Sequence, residues 1–193
     1  LGNAKKELLH LGNYASKAFD LSSNYIIDLN EKVAEKGHKT EEAINTIDEK
    51  LTRYLITLSS EALSQKESEV LTNILDSSRD LERIGDHAEA LINLTDYLQR
   101  KNVEFSEAAL QELSDIYQKT TGFIKDALDS VENNDTEKAQ SLIERHKEIN
   151  NMERVLRKTH IKRLNKGECS TQAGVNFIDI VSHYTRVSDH AMN

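Results

Sequence analysis

Two segments of this chain nearly repeat one another at an offset of 103 residues: Arg83-Ile84-Gly85-Asp86-His87-Ala88 and Arg186-Val187-Ser188-Asp189-His190-Ala191, identical at four of six positions. The same offset sets Asp76 opposite Asp179, Leu75 opposite Ile178 and Ile74 opposite Phe177. An offset of 105 aligns Ile44, Asn45, Ile47 and Asp48 with Ile149, Asn150, Met152 and Glu153. A period near about 100 residues is too long for a solenoid and implies one ancestral unit doubled, with a pseudo-twofold relating the halves. Whatever the first half folds into, the second follows.

Between these landmarks little interrupts a helix. Proline is absent, glycine occurs 7 times and 30% of residues are charged, which removes helix breakers and supplies strong helix formers. The punctuation predicts a first helix from about Asn3 to Lys36, stopped by Gly37, and a second from after Thr40 to about Leu63. A third opens at Ser64, which forms a capping box with Glu67, and runs to about Lys101. The pattern then restarts. Ser106 caps a fourth helix to about Glu132, Asn133 and Asn134 break it, a fifth runs from Asp135 to Lys166 before Gly167, and a sixth begins near Thr171. Apolar residues such as Ile44, Ile47, Leu51, Leu55 and Leu58 recur at three and four, the stripe of a helix buried on one side. Short connections make consecutive helices antiparallel neighbours. The expected fold is therefore all-α: two tandem three-helix antiparallel bundles, residues 1–104 and 105–193.

A net charge of −8 argues against a nucleic-acid module, which needs a basic surface to release counterions. A single cysteine, Cys169, excludes an internal disulfide and a thiolate metal cage. No run approaches the ~18 apolar residues of a membrane span. Leu1 at the start, and a helical pattern still running at Asp189-His190-Ala191-Met192-Asn193, read as ends inside a longer polypeptide. No nucleophile, phosphate loop or Glu-x-x-His pair marks an enzyme.

The segment Asp80-Leu81-Glu82-Arg83-Ile84-Gly85-Asp86-His87-Ala88 resembles the third-helix signature of the PhoU family, and the resemblance extends over the whole chain. It implies a two-repeat, six-helix protein that regulates phosphate uptake without catalysis, on the cytoplasmic side. The chain ends favour the version that is the cytosolic tail of a sodium/phosphate cotransporter-like membrane protein. The partner is then the membrane portion of the same polypeptide, or else a separate phosphate transporter or sensor; a second copy of the chain is a further candidate. Several members of the family bind metal clusters through acidic residues of a third-helix motif and neighbouring helices. Carried over, the motif gives Glu82 and Asp86 with Asp48 in repeat 1, and Asp189 with Glu153 in repeat 2. Thr185 replaces the second-repeat Glu there, and His183 stands where repeat 1 has Asp80. The implied ligands are transition-metal ions, iron or zinc.

Helical geometry, at ~100° per residue, bears on these residues independently. Leu71, Ile74, Ser78, Leu81, Gly85, Ala88 and Ile92 centre one apolar stripe of the third helix, with Glu82 and Asp86 on adjacent turns at its flank. Asp76, Asp80, Arg83 and His87 fall opposite, as a solvent face. Gly85 and Ser188 read as small residues for close helix approach, His146 and His160 as surface histidines. The cations from Arg154 to Lys166 read as a solvated basic face near a helix C-terminus. A metal-binding helical protein, or a helical adaptor with no ligand, are the rival readings.

Overall fold

The computed structural model describes residues 1–193 and contains six helices and no strand. They are α1 (Gly2–Asp28), α2 (Glu31–Ser59), α3 (Gln65–Arg100), α4 (Glu107–Glu132), α5 (Thr136–Asn165) and α6 (Thr171–Met192). Helices α1, α2 and α3 pack on one another, as do α4, α5 and α6. The two bundles meet through α1 against α4 and α3 against α6. Each of those contacts joins a helix to its own counterpart in the other half, which is what a pseudo-twofold requires. The larger apolar core draws on both halves, from Phe19, Ile44 and Ile84 to Ile116, Phe177 and Tyr184.

Most of the helix ends are chemically defined. Ser64 accepts from the Glu67 backbone N–H while the Glu67 carboxylate accepts from the Ser64 N–H, a complete capping box. Ser106, Asp135 and Ser170 cap α4, α5 and α6 by accepting a backbone N–H two or three residues into the helix.

The first helix boundary differs from the one the sequence predicts. Helix α1 stops at Asp28, where Leu29 adopts a left-handed conformation (φ 55°), and the Asn30 side chain caps α2 by accepting from Lys32 N–H at 3.0 Å. A leucine is an unusual left-handed stop, since its Cβ crowds the backbone there, so the sequence carries no glycine signal at the true break. Gly37 lies instead inside α2, buried. A Cβ there would stand 2.5 Å from Ile92 Cδ1 of α3, so the glycine permits close approach of two helices and ends neither. Gly85 plays the same part from α3, where an added Cβ would meet Ile44 side-chain atoms at 3.0 and 3.2 Å. That close approach brings the flank of α3 alongside α2.

Gly85→Val is therefore expected to lower the unfolding free energy by about 1–3 kcal/mol through overpacking against Ile44. Gly85→Ala is expected to stay near neutral, because a gain of about 1 kcal/mol in helix propensity offsets a shift of Ile44 by a few tenths of an ångström. Urea unfolding of the two variants checks both, and equal stability of Val and Ala at this position would contradict the contact.

Candidate functional site

Where α2 and α3 lie side by side, carboxylates from both helices collect. Asp48 on α2 accepts a hydrogen bond from the Ser78 hydroxyl of α3. Glu82 and Asp86 stand one turn apart on α3, as their spacing requires. Burial pushes the Glu82 carboxyl up to about 7, helped by the charge of Asp86, its hydrogen bond with Asp86, and the charge of Asp48; only Arg83 acts the other way. Arg83 offers little neutralisation, its guanidinium lying 3.7 Å from Asp86 with the arginine side chain 65% exposed.

Two further carboxylates belong to this groove that sequence reasoning missed. Glu41 on α2 is buried, at 7% exposure, with its carboxylate accepting from Asn45 Nδ2 at 2.5 Å. Burial raises its pKa against the lowering effect of that hydrogen bond, with Glu89, Asp86 and Glu42 adding repulsion. Glu41 stands two helical turns before Asp48, and Glu89 three residues after Asp86. The signal was present in that spacing, but an acidic residue on a buried face is invisible until its neighbours are known. Oxygen donors in this number suit a hard cation, and a cation would relieve the repulsion that raises Glu82. As they stand, no three His, Cys, Asp or Glu side chains are arranged so as to hold a metal ion.

The second repeat sends its three candidate residues to three different partners. Asp189 accepts from His146 Nε2 at 2.6 Å, Glu153 accepts from Arg157 Nη2 at 2.8 Å, and His183 faces His87. Arg157 also donates to Ser182 at 2.9 Å. The substitutions explain the difference. His146 occupies the position of Glu41, and Thr185, in place of Glu82, is buried with its hydroxyl donating to the Val181 carbonyl at 3.2 Å. Asp189 and Glu153 are thus each engaged by a separate side chain, and the donor set there does not fit a shared ion.

Of the two histidines expected at the surface, His146 is partly exposed and lies 2.6 Å from Asp189, whereas His160 is 2% exposed, stacked on Phe177 with centroids 4.4 Å apart. The expected solvent face of α3 is corrected as well. Asp76 and Arg83 are exposed, but Asp80 and His87 lie in the seam against α6. His87 Nδ1 and His183 Nδ1 share a hydrogen bond at 2.9 Å, and His190 Nδ1 lies 2.9 Å from Asp80 Oδ1. The pseudo-twofold exchanges Asp80 with His183 and His87 with His190, so these are two copies of one contact. Helical periodicity located the side facing away from the helix's own bundle, and that side is where the other bundle packs. Burial drives the His87 pKa down to about 4, with the neighbouring basic groups His183, His190, Arg186 and Arg83 adding to it. His183 is lowered too, by burial and then Arg186, against Asp179.

The comparisons with known proteins agree with this architecture. The model of the PhoU domain matches residues 8–95 and again residues 113–193. A Thermotoga maritima protein described as phosphate-specific transport system accessory protein PhoU homolog 1 is 29% identical over 172 residues, covering 89% of this chain. The chain spans 66% of that relative's length. A Clostridium acetobutylicum protein described as a phosphate-specific transport system accessory protein PhoU homolog is 23% identical over 191 residues, covering 97% of this chain and 85% of that protein. The crystal structure of PhoU from Pseudomonas aeruginosa superposes with a TM-score of 0.92 at 21% identity, covering 100% of this chain and 92% of that one. The phosphate transport system regulatory protein PhoU from Streptococcus pneumoniae gives 0.87 at 20% identity, covering 100% and 89%. At those identities the likeness establishes the fold.

Glu82 and His87 set opposite edges on stability. Glu82 takes up a proton on folding, because its pKa rises from 4.5 to about 7, so its contribution is lost as pH climbs through that interval. His87 is held neutral on folding, its pKa falling from 6.5 to about 4, so stability is lost as pH drops through that interval. The two intervals overlap and the effects oppose each other there, so urea midpoints of the parent recorded from pH 4 to 8 are expected to change little. Glu82→Gln then leaves a midpoint that falls toward pH 4, and His87→Gln one that falls toward pH 8; a variant profile parallel to the parent's would refute the corresponding assignment.

Proposed function

The chain belongs to the PhoU family, and from that premise we propose that it is a non-enzymatic accessory protein that regulates phosphate uptake by acting on a phosphate transporter or its sensor. The observation that carries the reading is the match of the PhoU domain to both halves of the chain. Both curated relatives are described as accessory proteins of a phosphate-specific transport system, which favours an accessory protein over the tail of a sodium/phosphate cotransporter-like polypeptide. No helix is long and apolar enough to cross a membrane. Contact with the transporter is proposed from its cytoplasmic face on the strength of the family match.

Within this role the groove of repeat 1 is the cation-binding element. Asp48, Glu82 and Asp86 would have to draw together from their present arrangement to hold an iron or zinc ion, with Glu41 and Glu89 adding negative potential. A bound cation supplies charge neutralisation that the chain itself lacks there. The second repeat is the partner without such a groove, because His146 and Arg157 already hydrogen-bond Asp189 and Glu153.

Two experiments test these readings separately. Deletion of the gene in its own host is expected to leave phosphate uptake active at high external phosphate, with the intact gene restoring repression; an uptake response indistinguishable from the parent's would contradict the regulatory role. Elemental analysis of untagged protein is expected to find iron or zinc, lost in Asp86→Asn and retained in Asp189→Asn. Metal absent from the parent protein, or lost equally from both variants, would remove the asymmetric groove.

A further inference from the structure

Neither the carboxylate groove nor the α3–α6 seam involves the C-terminal half of α5. From Arg154 to Gly167 the chain places six of its 25 Lys and Arg and none of its 33 Asp and Glu. The helix macrodipole accounts for part of this run, since it favours cations within the last turn, where Lys162 and Arg163 stand. Arg154 and Lys158 lie further back, where that effect has faded. The duplication supplies an internal comparison. At the offset of 105 residues the same stretch of α2, Glu49 to Glu61, holds two cations, Lys50 and Arg53, and two acids, Glu49 and Glu61. Packing of the bundle therefore does not demand a basic face here, because α2 fills the corresponding place without one.

The six cations divide into two groups. Arg157 donates to Ser182 of α6 and Arg163 to Glu112 of α4, so these two fasten the flanks of α5 to its neighbours. Arg154, Lys158, Lys162 and Lys166 are exposed and make no ion pair or side-chain hydrogen bond. At ~100° per residue these four share an arc of about 140° with Val155 and Ile161, opposite the buried Leu156 and His160. Val155 is 54% exposed and Ile161 45%. The patch runs about 18 Å along the helix, at ~1.5 Å per residue.

Free cations set around branched apolar side chains on one convex helix face match a surface that is anionic outside and apolar just beneath. Lysine and arginine stems lie over apolar surface while their charged heads stay at the level of the headgroups. A protein of net charge −8 is repelled by such a surface as a whole. Screening limits that repulsion, because the Debye length is about 8 Å at physiological ionic strength, shorter than the patch, and acids elsewhere on the molecule are felt weakly there. Nucleic acid fits less well, since it engages the cations and leaves Val155 and Ile161 without a partner.

We propose that the outer face of the C-terminal half of α5 docks on an anionic lipid bilayer. Arg154, Lys158, Lys162 and Lys166 meet the lipid phosphates, and Val155 and Ile161 enter the headgroup layer. This docking is independent of the regulatory role proposed above, although it holds the chain at the surface where a membrane transporter sits.

Flotation of the chain with vesicles of phosphatidylglycerol and phosphatidylcholine, against vesicles of phosphatidylcholine alone, tests the face. Binding to the anionic vesicles only is expected, falling as sodium chloride is raised. Arg154→Gln with Lys158→Gln, or Lys162→Gln with Lys166→Gln, is expected to weaken it about tenfold or more, and all four together to abolish it. Lys50→Gln with Arg53→Gln, at the equivalent end of α2, is expected to bind as the parent does. All of these side chains are exposed, and unchanged thermal midpoints confirm that the variants fold. Tryptophan is absent from the chain, so Ile161→Trp reports on the face directly. Its emission is expected to shift to the blue with anionic vesicles, and that of Ile56→Trp, at the equivalent position of α2, to stay unchanged. No binding to the anionic vesicles, equal binding in the fourfold variant, or an unshifted emission from vesicle-bound Ile161→Trp overturns the docking. Binding of poly-glutamate that needs the same cations, without binding of vesicles, also overturns it, in favour of an acidic protein. The uptake phenotype of the deletion stands or falls by itself whichever result is found.

Discussion

Helix α3 is packed on two sides, and both sides carry polar chemistry. Against α2, Gly85 admits Ile44 closely enough that Asp48 and Ser78 meet across the interface. Against α6, Asp80 and His87 pair with His190 and His183. A helix exposed on one face could leave its acids in water, where repulsion between neighbours costs only a few tenths of a kcal/mol. Held between two bundles, α3 loses that escape, and the consequences appear as a Glu82 carboxyl pushed up to about 7 and a His87 imidazole pushed down to about 4. Desolvation leads in both, and neighbouring charge of like sign adds to it.

The duplication explains how two such environments arise and why they diverged. Apolar positions are exchanged between the halves with little change, Ile44 for Ile149 and Leu75 for Ile178, because the packed core tolerates swaps that keep volume and pattern. Charged positions have no such restraint once another group can neutralise them. A histidine at the place of Glu41 and a threonine at the place of Glu82 replace an acidic groove with two separate contacts, His146 with Asp189 and Arg157 with Glu153. The fold is symmetric where it is apolar and asymmetric where it is ionic.

That division also decides what was legible in the sequence. The doubled motif and the helix count could be read directly, as could the caps at Ser64 and Ser106, since they depend on local chemistry and spacing. So could the placement of Glu82 and Asp86 at the flank of the apolar stripe. The break at Leu29 could not, because the chain there uses a residue with no turn preference, while Gly37, which has one, serves helix packing. The seam could not either. A helical wheel distinguishes the face toward one core from the rest, and for a helix with two packing partners the remainder is not all solvent. Asp80 and His87 were therefore assigned to water, and His160 was assigned to the surface although the stack on Phe177 buries it.

The α2–α3 groove of the first repeat holds carboxylates whose charge the protein does not neutralise, while in the second repeat Asp189 and Glu153 are each bound by a basic side chain. The direct measurement is the carboxyl carbon shift of Glu82, followed by NMR through a pH titration of the protein with metals removed. A midpoint near 7 is expected, moving back toward the ordinary carboxylate range in Asp86→Asn as one source of repulsion disappears. A Glu82 midpoint near 4.5, indifferent to Asp86, would contradict it.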